Sequence, residues 1–237
     1  MPVRSAIFAR CSFGILATVA ATAMTLATAT AQSTPEATGQ ATPVADTLQV
    51  KVLGVQTFPP DLMFEETLVG GLSGIDYDPE SGRWIAISDD RSDNNPARYY
   101  ELSVSYGENG FDAIDFASVV TLLQGNGEPY PNQEQGGNIP DPESIRFDPV
   151  TEALWYTSEG SWTLDIDPFL AATDPDGRLI ASPALPAIFD MDPSEATGPR
   201  ENLVFEALSF ASDGVSLWVG LEGPLYQDGE MATADLG

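Results

Sequence analysis

The sequence has 237 residues, with 36 acidic and 9 basic side chains, no histidine and a formal net charge of −27. So negative a chain excludes nucleic acid as a partner, because a phosphate backbone needs a positive surface. The missing histidine excludes Ser-His-Asp and Cys-His catalysis and His-ligated zinc, leaving carboxylates, Arg, Lys, Tyr, hydroxyls or a hard, oxygen-ligated cation.

Residues 1–31 read as a secretory signal peptide. Arg4 and Arg10 precede an Ala-rich apolar run from Cys11 to Leu26, and Ala29-Thr30-Ala31 gives a small-residue cleavage pattern before Gln32. The run is short and interrupted by Thr, which favours cleavage over a membrane anchor. Cys11 leaves with the signal, so the exported chain carries no disulfide, and no lipobox cysteine stands at the cleavage site. The expected location is secreted or periplasmic, with no membrane attachment after cleavage. Residues 32–47 are rich in Thr, Pro, Ala and Gln without periodicity and predict a disordered linker. Residues 48–237 then form one domain.

Leu48 to Val55 alternates apolar and polar residues and predicts a strand, interrupted by Phe58-Pro59-Pro60. The first of three related hairpins follows: Ser73 to Asp78, a turn, and Trp84 to Asp89. The second runs from Glu143 to Asp148, turns, and returns from Leu154 to Glu159. The third runs from Glu206 to Ala211, turns, and returns from Leu217 to Glu222. In this alignment Ile75, Ile145 and Leu208 correspond, as do Tyr77, Phe147 and Phe210. Between the copies, Arg98–Val104 and Phe111–Leu123 predict strands, the latter bending near Asp115. Residues 126–142 predict a long polar loop. Leu164–Leu170 and Leu179–Pro186 predict strands around the Asp174-Pro175-Asp176-Gly177 turn. Met191–Arg200 predicts a further loop, and Trp84, Trp155 and Trp218 are expected in the core.

Many short strands and a long internal repeat predict an all-β, partly built β-propeller-like fold with about three strand-turn-strand blade units. Propellers usually have between about four and eight blades. Three repeats therefore predict a ring that is incomplete at the C-terminus, in a chain shortened relative to its parent.

The hairpin geometry carries the chemistry. The start of each first strand and the end of each second strand share one end of the hairpin. Those positions hold Ser73 with Asp89, Glu143 with Glu159, and Glu206 with Glu222. If the copies are related by rotation, five carboxylates converge. Neighbouring carboxylates either share a proton or bind a metal, and an oxygen-only set points to Ca²⁺. Arg91 follows Asp89 and can hold an anionic oxygen, or simply neutralise Asp90. Arg200 and Asn202 precede Glu206 and can supply positive charge and a hydrogen bond to an anion, or form a plain salt bridge.

Several stretches together resemble the phytase-like domain family, named for an esterase-like activity of phytase, of exported bacterial proteins. They include Gly70-Gly71-Leu72-Ser73-Gly74-Ile75, Ser88-Asp89-Asp90-Arg91-Ser92 and Ala97-Arg98-Tyr99-Tyr100. Pro140-Asp141-Pro142-Glu143-Ser144-Ile145 and Ser158-Glu159-Gly160 come next. Gly198-Pro199-Arg200-Glu201-Asn202 through Leu208, Leu221-Glu222-Gly223-Pro224-Leu225 and Gln227-Asp228-Gly229 complete the set. The resemblance covers about residues 48–237, in the family's order, and implies a further family segment after Gln227-Asp228-Gly229, which makes a shortened chain the expectation. It implies a propeller-like fold and an esterase or phosphoesterase activity.

Three functional expectations result. In the first, the chain is a Ca²⁺-assisted ester or phosphoester hydrolase of small-molecule substrates, acting as a monomer. Asp89, Glu143, Glu159, Glu206 and Glu222 would hold the metal, Glu143 and Glu159 with Arg91 and Arg200 would carry catalysis, and Arg91, Arg200 and Asn202 would bind substrate. In the second, it is a non-catalytic exported propeller that binds Ca²⁺ or a partner. In the third, it is an inactive fragment.

Overall fold

The computed structural model describes residues 50–108, 110–192, 194 and 197–233. The signal peptide (1–31) and the linker (32–47) lie outside the described residues. The described chain is all-β: no α-helix occurs among the described residues, and three short 3-10 turns join the strands. The expected class is therefore the observed one.

Two strands of two residues open the fold, β1 (Met63–Phe64) and β2 (Thr67–Leu68), joined through Glu65 and Glu66, both at positive φ. The sequence gives this hairpin no turn glycine or asparagine, and it was not anticipated. An antiparallel meander follows: β3 (Leu72–Asp78), β4 (Arg83–Ser88), β5 (Arg98–Gly107) and β6 (Gly110–Thr121), in that spatial order. A second meander repeats it: β7 (Pro142–Asp148), β8 (Ala153–Ser158), β9 (Phe169–Thr173) and β10 (Leu179–Ala181). The third repeat is a two-stranded hairpin, β11 (Phe205–Phe210) and β12 (Leu217–Leu221). The opening strands of the repeats lie together. Asp76 of β3 accepts the Phe147 N–H of β7 at 2.9 Å, and Arg146 of β7 donates to the Ile75 carbonyl at 3.0 Å. Gly74 permits this approach, since a Cβ there would sit 2.8 Å from the β7 backbone.

Strand alternation splits the burial. Ile85, Ile87 and Tyr99 face a core shared with Ile145, Phe147 and Tyr156 of the second meander. Ala86, Tyr100 and Leu102 face the other way and are covered by Leu62, Phe64 and Phe116. The first sheet is thus buried on both sides, by the second meander and by the β1–β2 hairpin.

Several expected elements shift. Residues 50–55 form no strand: Val50, Val52 and Val55 are exposed, and the segment runs beside β6 with Gly54 against Phe111 and the Gln56 side chain bridging the Ile114 backbone. Alternation without an adjacent ladder does not make a strand. The strand expected over 164–170 begins later, at Phe169, because Trp162–Leu164 turns as a 3-10 helix. The strand expected over 179–186 stops at Ala181; Pro183 and Pro186 cannot donate to a ladder. Trp84 is partly buried and packs against the second core cluster, but Trp155 is only partly buried and Trp218 is 69% exposed, so the tryptophans are not all core residues. Trp84 pairs across to Leu102 on β5, whereas β12 pairs on one edge only among the described residues. The repeat alignment holds in register but not in burial: Ile145 and Leu208 are buried, while Ile75 is half exposed on the first strand of its sheet.

A carboxylate cluster at the repeat ends

The same irregularity recurs at the start of each hairpin. Leu72 faces Ser88, Pro142 faces Ser158 and Phe205 faces Leu221, and the register slips immediately afterwards in all three. Ser73 and Glu206 are the extra residues of their bulges, and Glu143 with Ser144 spans the slip in the second copy. A bulge turns its extra residue out of the alternating pattern and re-aims its side chain. The returning strands end alike. The N–H groups of Asp89, Glu159 and Glu222 donate to the carbonyls of Gly71, Asp141 and Val204 at 2.8, 3.1 and 2.9 Å. One backbone device, used three times, therefore sets the six side chains at one end.

Four of the five expected carboxylates come close together, joined by Asp141, while Asp89 stands at the edge. Oxygens of Asp141, Glu143 and Glu159 lie within 4.8 Å of one another, and so do oxygens of Glu159, Glu206 and Glu222. Glu159 belongs to both groups. It is fully buried, and its Oε1 accepts the Val204 N–H, joining the second repeat to the third. Its Oε2 is buried with no hydrogen-bond partner. Glu143 accepts a hydrogen bond from the Ser73 hydroxyl, which ties the first repeat to the second. Asp89 borders the same cleft, of about 350 Å³, with Asp141, Glu143, Arg91 and Asn202. Gly71, at φ 55°, leaves room for it: a Cβ there would fall 1.7 Å from Asp89 Oδ1.

Crowding and burial resist negative charge here. Burial chiefly, with Glu206, Asp141 and Glu159 adding repulsion against the Ser73 hydrogen bond, pushes Glu143 up to about 8. Burial, then Asp141, Glu206 and Glu222 working against the Val204 N–H, pushes Glu159 up to about 7. Asp89 rises through burial and the Asp90 charge. Glu206 rises through burial and Glu222. Burial also raises Asp141, with Arg91 opposing it.

The arginines sort differently from the expectation. Arg91 does not neutralise Asp90. Its Nη2 forms an ion pair with Asp141 and donates to Asn202 Oδ1 at 2.8 Å. Asp90 is held instead by Arg98, at 2.8 Å, and by the backbone N–H groups of Asp93, Asn94 and Asn95. Burial opposes charge on Asp90, but these donors outweigh it and its pKa is lowered. Arg200 points to another task. It donates to the carbonyls of Pro224 and Gly229 at 3.0 and 2.7 Å and lies 4.4 Å from the Tyr226 ring centroid, pinning the 224–229 segment. Asn202 stands beside Arg91, as an anion site would require, but its side-chain oxygen is used by that arginine. The Asp174–Gly177 turn is only a turn, with Asp174 accepting the N–H groups of Asp176 and Arg178.

A family model described as "Phytase-like: Esterase-like activity of phytase" matches residues 67–236. The chain belongs to that family. No curated protein matches it, and no solved structure does. The match takes in all three repeats of this phytase-like chain and every carboxylate of the cluster.

Two residues at this end were missed from sequence. Asp141 occupies the place held by Gly71 and Val204 in the other repeats. It is the charged member of that set, a difference visible in the alignment of the copies. Glu201 accepts from Ser161, and from the Trp162 N–H at 2.8 Å, capping the turn after Glu159. Nothing in its sequence context marks it.

The cluster fits a hard cation. Every donor is a carboxylate oxygen, the donor type Ca²⁺ takes at about 2.3–2.6 Å, so two oxygens on one ion lie at most about 5 Å apart. The 4.8 Å spread of each group meets that limit with little adjustment. The bare Glu159 Oε2 is the strongest local sign, since a buried carboxylate oxygen is otherwise satisfied.

Proposed function

We propose that this phytase-like chain is an exported, divalent-cation-assisted hydrolase of small ester or phosphoester substrates, with Ca²⁺ the expected ion. The single observation that carries the reading is Glu159: buried, unsatisfied at Oε2, and common to two carboxylate groups. Asp141, Glu143 and Glu159 would hold one ion; Glu206 and Glu222, with Glu159, offer a second set of donors. Asp89 adds negative charge at the cleft wall.

A cation bound there would supply Lewis-acid polarisation of an ester or phosphoryl oxygen. The chain's own groups supply the rest. Arg91, at the cleft beside Asn202, holds an anionic oxygen. Glu143 is pushed up to about 8 only while the cluster is metal-free; a cation held there would lower it, so its part in the loaded site is that of a ligand. The Ser73 hydroxyl positions that carboxylate and, with no histidine in the chain, is not an activated nucleophile. Arg200 holds the 224–229 segment and is left out of the reaction.

Three features support the rest of this reading. The signal-like leader supports export to the periplasm or exterior. The side-by-side opening strands of the meanders support a propeller-like arrangement with the cluster at its axis. The acidic surface supports a monomer with no nucleic-acid partner.

A second reading has its own observation. Glu159 binds the Val204 N–H and Glu143 binds Ser73, so a cation here would also cross-link the repeats and stabilise a non-catalytic binder. Hydrolysis of nitrophenyl phosphate, nitrophenyl esters and phytate, measured with Ca²⁺ and with EDTA, separates the two. Turnover that is lost on chelation supports the hydrolase. Turnover that persists unchanged in EDTA refutes cation assistance, and a calcium-stabilised protein without turnover favours the binder.

A further inference from the structure

The acid cluster has a single internal counter-ion. Among the described residues, Asp89, Asp141, Glu143, Glu159, Glu206 and Glu222 share one ion pair with a basic side chain, Arg91 to Asp141. The pair is asymmetric: the Asp141 side chain is 5% exposed and that of Arg91 is 35% exposed. The buried partner is fixed in the cluster, while the guanidinium stands at the cleft and is free to move into it. Only Nη2 of Arg91 carries a protein partner among the described residues, leaving its other nitrogens available.

We infer that Arg91 is displaced from Asp141 when a divalent cation enters the cluster, and that only the displaced guanidinium binds an anionic ligand. This rests on the cation-site reading proposed above. The physical ground is competition for one carboxylate. Asp141 is a donor of the Asp141–Glu143–Glu159 set, and an ion seated about 2.5 Å from its oxygen would repel a guanidinium already in contact with it. The buried, unpartnered Glu159 Oε2 draws the ion inward, away from the cleft where Arg91 lies. Before the ion arrives, Asp89, Asp141 and Glu143 line the cleft with the arginine and repel any anion. Afterwards the local charge is more positive and the arginine has a free face. Cation and anion binding are then coupled through one side chain, and by linkage each strengthens the other.

Asn202 fits the role of hinge partner. It sits in left-handed backbone at φ 56°, a conformation asparagine tolerates, and its Oδ1 keeps Arg91 Nη2 at 2.8 Å. A guanidinium that leaves Asp141 can retain this bond and so stay at the cleft.

The test titrates the full exported chain calorimetrically with calcium alone, and then with inorganic phosphate in calcium and in EDTA. An Arg91→Gln variant should bind calcium roughly three- to tenfold more tightly, since its internal competitor is gone. It should also lose the phosphate binding that the wild type shows in calcium and lacks in EDTA. Arg91→Lys keeps the charge and should stay close to wild type for calcium, which guards against a folding defect. Calcium affinity that is unchanged or weaker in a folded Arg91→Gln overturns the competition, leaving the cation site standing. Phosphate binding equal in both proteins overturns the anion role. A wild type that binds no calcium refutes the cation site and this inference together.

Discussion

Glu159→Gln should move stability in opposite directions with and without calcium. In the metal-free protein the carboxylate is buried, repelled by Asp141, Glu206 and Glu222, and raised from 4.5 to about 7. At about 1.4 kcal/mol per pKa unit, holding it ionised above about pH 8 costs at most ~3.5 kcal/mol relative to the unfolded chain. Glutamine still accepts the Val204 N–H through its oxygen, and its NH₂ can donate to the carboxylates around it. Allowing for imperfect amide geometry, the variant should gain roughly 1–2 kcal/mol in EDTA, or ~2–8 °C in Tm for a domain of this size. In calcium at about 100 times its Kd, the wild type gains about 2.7 kcal/mol, which is ~5–11 °C. The variant, having lost the donor common to both groups, should lose most of that gain. The assay is differential scanning fluorimetry across a calcium series, checked by urea melts. If Glu159→Gln lowers Tm equally in EDTA and in calcium, Glu159 is a packing residue and the cation reading fails.

Three further outcomes follow from the geometry. Glu143 and Glu159 have folded pKa values raised above their ordinary 4.5, to about 8 and about 7. The native state then holds more protons than the unfolded one across that window, so metal-free stability should fall as pH rises from about 4.5 to 8 and level off above. Tm profiles in EDTA should show this slope and saturating calcium should flatten it; a rising EDTA profile would contradict the burial argument. Gly71→Ala meets Asp89 Oδ1 and a backbone at φ 55°, so it should lose about 1–3 kcal/mol in urea melts and disturb the cleft. Arg98→Met strips the partner from buried Asp90 and should lose about 3–5 kcal/mol, and a near-neutral result would show that Asp90 is held by backbone N–H groups alone.

The site was more legible than the fold's outline. Glu143, Glu159, Glu206 and Glu222 could be paired from sequence because a hairpin has one open end and the three copies align without gaps. Their actual approach depends on the bulge at Ser73, Glu143–Ser144 and Glu206, which no residue preference announces. Asp141 escaped notice because its counterparts Gly71 and Val204 are uncharged. It serves through its place in the ladder, where its carbonyl receives the Glu159 N–H. Arginine partners were the least legible. Arg91 lies next to Asp90 in sequence yet pairs with Asp141, and Arg98 takes Asp90. Arg91 sits at the centre of a tight turn closed by the Ser92 N–H on the Asp90 carbonyl at 2.7 Å, and such a turn separates the side chains of sequence neighbours.

By itself, the sequence determined the all-β class, the three-fold hairpin repeat, the absence of any histidine ligand or base, and the family. These depend on periodicity, composition and local turn chemistry, which are properties of short stretches. Only the tertiary structure decided which carboxylates are buried, that Glu159 is shared between two groups with one oxygen unsatisfied, and that Arg91 rather than Arg200 serves the cleft. Burial and charge pairing depend on which strands lie side by side, so residues far apart in the chain, such as Asp141 and Arg91, set each other's electrostatics only once the repeats are packed.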